Sequence, residues 1–172
     1  MEKFGSFLIS DDGSSLESTV VRALKERGLT LATAESCTGG LIAHRITNVP
    51  GASAVFGHGF VTYANGAKSS LLNVSPDDLA THGAVSEVVA KQMAAGALQA
   101  SGADIAVAVT GIAGPDGGTP EKPVGAAWIG LASSNHDATA FKVYHPRNRH
   151  DFKLAVSQAA LEAVRRRVLG LG

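Results

Sequence analysis

The sequence predicts an α/β fold, a mixed sheet covered by helices on both faces. Two observations carry this. Short apolar runs, "LTLATA" (29–34) and "ADIAVAVT" (103–110), alternate with segments of helical periodicity. That is the pattern of buried strands joined by crossover helices. Two later runs, at 124–132 and 139–145, are separated only by the short polar stretch "SSNHDA". Such a connection suits an antiparallel pair, which makes the sheet mixed.

The elements follow in order. Ser14-x-x-Glu17 reads as a capping box ahead of Leu16, Val20, Val21 and Leu24, a one-faced helix that ends near Gly28. The strand 29–34 comes next, then a helix from about Thr38 to Thr47. "SAVFGHGFVTYA" (53–64) reads as a strand broken by Gly57 and Gly59, and a short helix covers Ala67 to Leu72. Ser75-Pro76-Asp77-Asp78 supplies an N-cap, a first-turn proline and two acids that suit the helix dipole. That helix stops at Gly83, and Ser86 caps another that runs to about Ala100. After the strand 103–110 comes "GIAGPDGGTPEKP", a loop too polar for a core. The chain closes with the two neighbouring strands and a helix over about 149–168.

A length of 172 residues predicts one domain over 1–172, with 1–13 as a loose N-terminal segment. Fifteen basic residues balance fifteen acidic ones. No global field therefore favours nucleic acid or an anionic membrane. A single cysteine excludes an internal disulfide and points to a reducing compartment. "MEKFGSFLISDD" lacks a secretory pattern, and no run approaches the ~20 apolar residues of a membrane span. A cytoplasmic location is expected, and self-association into a homo-oligomer is expected of a small alanine-rich domain.

Ligands of open α/β sheets bind beyond the carboxyl ends of the strands. Two loops qualify: "ESCTGG" (35–40) and "TGIAGPDGG" (110–118). A loop feeding a helix N-terminus offers free backbone N–H groups, and Gly39 and Gly40 allow close approach to them. A hydroxyl there either attacks a carbonyl whose oxygen rests on those donors or merely caps the helix. Serine needs a base, and no histidine lies within the motif. Lys68 in "TYANGAK" becomes one if burial holds it neutral, with Tyr63 fixing the amine; otherwise it is a solvated side chain after a turn. A phosphate-loop reading of "NGAKSS" fails because Ala67 splits the Gly-Lys pair. The histidines and Cys37 lack metal-ligand spacing, and "GIAGPDGG" lacks the dinucleotide fingerprint.

"TAESCTGGLIAHRIT", "VFGHGFVTYANGAKSSLL", "HGAVSE" and "TGIAGPDGGTPEKPVGAAW" together resemble the CinA C-terminal domain family, over roughly 14 to 168. The resemblance is to its stand-alone, PncC-type nicotinamide-nucleotide amidohydrolases. It implies a three-layer α/β/α sandwich with a mixed, mostly parallel sheet. It also implies conversion of nicotinamide mononucleotide to nicotinate mononucleotide and ammonia, in pyridine-nucleotide salvage, without metal or organic cofactor. The implied catalytic pair is Ser36 and Lys68, with Tyr63 on the family's tyrosine. Thr110 sits where members carry serine or threonine before "GIAGP". Arg149 matches the first residue of the family's Arg-x-x-x-Arg pattern, and Lys153 stands in place of the second, without the bidentate fork of arginine. In this reading the backbone of Thr38, Gly39 and Gly40 holds the oxyanion. Arg149 takes the nucleotide phosphate, with the glycine loop that starts at Gly111 as the second candidate. Two other readings stand beside it: Cys37 as the nucleophile, and a nucleotide-binding or interaction module without turnover.

Overall fold

The computed structural model describes residues 13–171. The expected loose segment lies, but for Gly13, outside the described residues. The first helix, α1 (Leu16–Arg27), is capped by Ser15, whose side chain accepts from the Ser18 N–H. The cap is therefore one residue later than the Ser14-x-x-Glu17 pattern places it. Strand β1 (Leu31–Glu35) leads to α2 (Leu41–Thr47), a 3-10 turn (Ala52–Ala54) and β2 (Phe56–Val61). Then come α3 (Asn65–Leu72), α4 (Pro76–His82) and α5 (Glu87–Ser101), with Ser75 and Ser86 capping α4 and α5. Strands β3 (Ile105–Gly111), β4 (Ala126–Ser133) and β5 (His136–Tyr144) precede α6 (Arg149–Leu169). The β4–β5 connection is a hairpin turn at Ser134 and Asn135, because pairing extends to Ser133 and His136.

The sheet order is β2-β1-β3-β4-β5. Its core, β2-β1-β3, is parallel, and β4 and β5 are added antiparallel. The two crossovers from the central β1 region use opposite faces. Helix α2 carries the chain from β1 to β2 on one face, and α3 to α5 carry it to β3 on the other. The carboxyl ends of β1 and β3 therefore flank a topological switch point, where the loops leave in opposite directions and open a crevice.

Alternation along the strands gives the two faces different side chains. Leu31, Ile105, Val107, Val109, Ile129 and Leu131 pack under α1, α2 and α6. The opposite face carries Ala32, Ala34, Ala106, Ala108 and Ala132 against α3, α4 and α5. Small side chains let α5 sit close to the sheet. A Cβ on Gly130 would stand 2.1 Å from the Ala90 carbonyl oxygen of α5, and one on Gly96 would stand 1.9 Å from the Leu72 carbonyl oxygen of α3. Alanine richness is thus a packing requirement on this face, and α3 is seated on α5 by the missing side chain of Gly96.

This contact predicts a reversal of the usual helix rule. In an open helix, glycine to alanine stabilises by roughly 0.5–1 kcal/mol. Gly96→Ala meets a backbone carbonyl that cannot rotate away, so overpacking of roughly 1–3 kcal/mol should dominate. Urea unfolding should show a lower midpoint for Gly96→Ala; a midpoint at or above that of the parent would refute this account of the α3–α5 seat.

Candidate functional site

The crevice at the switch point holds the sequence-predicted groups. Ser36 follows β1 directly, and its N–H donates to the Val109 carbonyl of β3 at 3.0 Å. The residue is therefore fixed across the two central strands. What shapes the turn after it is Glu35, a residue passed over in the sequence reading. Glu35 is 1% exposed. Its carboxylate accepts from the Thr38 hydroxyl at 2.7 Å and from the N–H groups of Gly40, Ile42 and Ala43 at 3.1, 3.0 and 2.9 Å. A buried carboxylate must be matched by donors, and the start of a helix supplies them together with a favourable dipole. The backbone wraps over it through Gly39 and Gly40, at φ 63° and 94°. Both values lie in the left-handed region, which side chains with a Cβ rarely occupy. The two glycines therefore serve the turn around Glu35.

Of the backbone N–H groups expected at Thr38, Gly39 and Gly40 to hold an oxyanion, the two glycine ones are taken within the turn. The Gly40 N–H and the Thr38 hydroxyl are donated to Glu35, and the Gly39 N–H to the Ser36 carbonyl at 3.1 Å. None of the three lines the crevice. A sequence signal existed in hindsight: an acid ending an apolar strand, five to eight residues before the N–H groups that open a helix without its own side-chain cap.

Lys68 comes from the middle of α3 and is 1% exposed, among the largest fully buried side chains. Its Nζ lies 3.1 Å from Ser36 Oγ, donates to the Thr62 carbonyl at 2.9 Å and reaches the Tyr63 carbonyl at 3.4 Å. Among the described residues no carboxylate pairs with it. Burial penalises its charged form and holds its pKa below the ordinary lysine value of 10.5. Tyr63 serves Lys68 with its backbone oxygen. The residue is 61% exposed, and its phenol accepts instead from the Arg149 guanidinium at 2.7 Å. The expected contact between phenol and amine is therefore replaced by a contact with Arg149.

Arg149 is the first residue of α6, and a second guanidinium nitrogen donates to the Gly114 carbonyl at 3.0 Å. It bridges the rims made by "TYAN" and by the loop after β3. Asp151 is taken by Asn148, the N-cap of α6. Lys153 comes near Gly39: its Nζ would be 3.7 Å from a Cβ there. Thr110 is 1% exposed, lines the crevice and donates to the Ala84 carbonyl at 2.8 Å. Gly111 also lines it, and a Cβ on Gly111 would stand 2.7 Å from that of Ala127 in β4. The crevice encloses about 270 Å³, and Asn65 and Asp116, both missed in the sequence, complete its polar wall. The volume is near the ~300 Å³ lower bound of small-molecule sites. A larger groove of about 800 Å³ between α2 and α6, floored by Leu41, Leu154 and Ala159, holds none of the groups that line the crevice.

Cys37 is 5% exposed, and burial pushes its thiol up to about 12. At neutral pH it carries no appreciable thiolate, the reactive form. Iodoacetamide at pH 8 should therefore leave Cys37 unmodified in the native protein and alkylate it in urea, read by intact mass. Rapid native labelling would contradict this burial.

The Lys68 shift has a sign that stability measurements can check. The unfolded chain keeps its lysine proton up to about 10.4; the folded chain releases it earlier. Between the two pKa values the unfolded state binds more protons, so stability rises with pH. Below the folded pKa both states are protonated and the burial penalty is present in full. Lys68→Met removes the titration. The stability of the parent relative to Lys68→Met should climb as pH rises toward 10.5 and be flat at lower pH, read from urea midpoints of both proteins. A pH-independent difference would show that Lys68 titrates normally.

The comparisons with known proteins point to one family. The family model described as CinA C-terminal domain matches residues 13–168. A "CinA-like protein" of Akkermansia muciniphila is 55% identical over 157 residues, covering 91% of this chain and 38% of its own length. A "putative competence-damage inducible protein" of Symbiobacterium thermophilum is 65% identical over 130 residues, covering 76% of this chain and 30% of its own. The chain thus spans under half the length of these curated relatives. Solved structures match over nearly their full length. The competence/damage inducible protein CihA of Agrobacterium tumefaciens has a TM-score of 0.82 at 44% identity, covering 88% of this chain and 94% of its own. A CinA superfamily protein of Escherichia coli has a TM-score of 0.84 at 30% identity, covering 96% and 99%. With its α/β/α architecture, its mixed sheet and a family model spanning nearly all of its residues, the chain belongs to the CinA C-terminal domain family.

Proposed function

We propose that this domain is an amidohydrolase that cleaves the carboxamide of nicotinamide mononucleotide to nicotinate mononucleotide and ammonia, with Ser36 as nucleophile and Lys68 as base. The observation that carries the reading is the buried approach of Lys68 Nζ to Ser36 Oγ, at 3.1 Å, with no carboxylate among the described residues to hold the amine charged. The Thr62 and Tyr63 carbonyls take N–H bonds from the amine. A neutral Lys68 then has its lone pair for the Ser36 proton.

In the proposed sequence Ser36 Oγ attacks the carboxamide carbon while Lys68 accepts the hydroxyl proton. Collapse of the tetrahedral adduct breaks the C–N bond, and the protonated Lys68 donates to the leaving nitrogen, which departs as ammonia. Lys68, neutral again, takes a proton from water, which attacks the acyl carbon; the proton then returns to Ser36 as the acid leaves. With the Gly39 and Gly40 N–H groups committed to Ser36 and Glu35, and none of residues 38–40 lining the crevice, the oxyanion is assigned to backbone N–H groups of the loop after Ile112 on the facing wall. Each such donor contributes about 3–4 kcal/mol in comparable sites. Arg149, at the rim and already oriented by Gly114 and Tyr63, is the proposed partner of the phosphate, since a guanidinium offers several donors in a fixed fork.

Ammonia release from nicotinamide mononucleotide tests the reading. The parent should turn over, Cys37→Ala should keep most of the rate, and Ser36→Ala should lose nearly all of it. Lys68→Arg, a cation that cannot give up its proton at working pH, should be at least ~100-fold slower, the lower end of general-base effects. A parent without amidase activity, or a Ser36→Ala variant with full activity, would reject the proposal.

A further inference from the structure

We infer that Asp116 is a specificity-determining residue of the crevice: its carboxylate meets the fixed positive charge of a pyridinium ring and so selects the oxidised nucleotide over its neutral dihydropyridine form. The inference rests on the proposed reading of the crevice as a nucleotide amidase site and adds the group that reads the charge of the ring.

The charges of the crevice carry it. Among its lining residues, Lys68, Arg149 and Asp116 are those of the lysine, arginine, aspartate and glutamate types. Lys68 is buried against Ser36, and burial favours its neutral form. Arg149 donates to the Gly114 carbonyl and the Tyr63 phenol. Asp116 is the one carboxylate of the lining, and among the described residues no ion pair joins it to a cation. Lys122, six residues further along the same loop, donates to the His82 carbonyl at the end of α4. An arginine and an aspartate thus line one crevice of about 270 Å³ without pairing with each other. Two opposite charges are held apart there, and a ligand that carries both signs meets both.

Nicotinamide mononucleotide is such a ligand. The ribose quaternises its ring nitrogen, so the ring is cationic at every pH, while the phosphate is anionic. In the proposed reaction the carboxamide lies at Ser36 and the phosphate at Arg149, and the ring lies between them. A cation moved from water into a cleft is costly unless an opposite charge meets it. Asp116 supplies that charge. Tyr63 is the other lining group with an affinity for cations, through the face of its ring. Its hydroxyl is already bonded to a guanidinium, which puts a positive charge on that side of the crevice.

The backbone holds Asp116 ready. The residue stands in the middle of the stretch 114–118. A Cβ on Gly114 would stand 2.5 Å from Val124 Cγ1, and one on Gly118 would stand 2.8 Å from the Val124 nitrogen. Both ends of the stretch are therefore pressed onto one residue. Arg149 bonds the Gly114 carbonyl at 3.0 Å. Beyond the stretch, the Thr119 N–H donates to the Lys122 carbonyl at 2.9 Å and the Lys122 N–H to the Thr119 hydroxyl at 3.1 Å, which closes the next turn. Asp116 is exposed, yet its loop is tied down on either side, so ordering it for a ligand costs little.

The test is calorimetric titration with nicotinamide mononucleotide and with its dihydro form. Both are titrated into Ser36→Ala, which keeps the oxidised compound from being consumed, and into the same protein with Asp116→Asn or Arg149→Ala added. Ammonia release by the parent is measured beside it. Ser36→Ala should bind the oxidised form more tightly than the dihydro form. Asp116→Asn should weaken the oxidised form about 5-fold, the upper end for an ion pair in contact with solvent, and leave the dihydro form unchanged. Added salt should shrink the difference that Asp116 makes. Arg149→Ala should weaken both forms alike, because both carry the phosphate. An equal effect of Asp116→Asn on the two forms, no effect on either, or no binding of either form would overturn the inference. A parent that releases no ammonia, while binding still follows the ring charge through Asp116, would reject the amidase reading and leave this inference standing.

Discussion

The carboxylate of Glu35 is the constraint on which the site rests. A charge 1% exposed at the end of a central strand is costly unless donors converge on it. Four do, three of them from the first turns of α2 and its approach. Meeting that need forces the chain to double back tightly after Ser36, and this sharp return requires the left-handed Gly39 and Gly40. The position of Ser36 at the lip of the sheet is thus a consequence of how its neighbour is satisfied. The arrangement also commits the Gly40, Ile42 and Ala43 N–H groups to Glu35 and so withholds them from a ligand.

Lys68 depends on a second constraint, the close approach of helices on the alanine face. Gly96 admits the Leu72 carbonyl, α3 settles onto α5, and the middle of α3 is pressed toward the carboxyl ends of β1 and β2. The amine then finds two carbonyls and a hydroxyl and, among the described residues, no carboxylate. A lysine so placed loses the solvation that favours its charged form, and its pKa falls. The small residues that look like simple packing in the sequence are therefore upstream of the electrostatics of the amine.

The rim of the crevice is assembled from three distant parts of the chain. Tyr63 follows β2, Gly114 follows β3, and Arg149 begins α6; one guanidinium joins them. Because Arg149 is held by two partners, it is already oriented before any ligand arrives, which reduces the ordering cost of binding.

Element types were legible in the sequence because each rests on local physics. Buried strands read as apolar runs, Ser75 and Ser86 cap the helices they precede, and Gly28 and Gly83 stop the helices they follow. The switch-point loops and the candidate pair Ser36 and Lys68 were legible as well, the pair through motifs that resemble one family. Three things were not. The start of α1 shifted to Ser15 because adjacent serines offer the same cap. The role of Glu35, and with it the removal of Thr38, Gly39 and Gly40 from the crevice, depends on which N–H groups a carboxylate meets in space. The exchange of partners by Tyr63, from Lys68 to Arg149, depends on α6 returning to the same end of the sheet after 86 residues of separation. Periodicity and caps are properties of a few neighbouring residues, so the chain carries them openly. Donor allocation at a buried charge and contacts across a rim are decided only when strands and helices far apart in sequence are packed together.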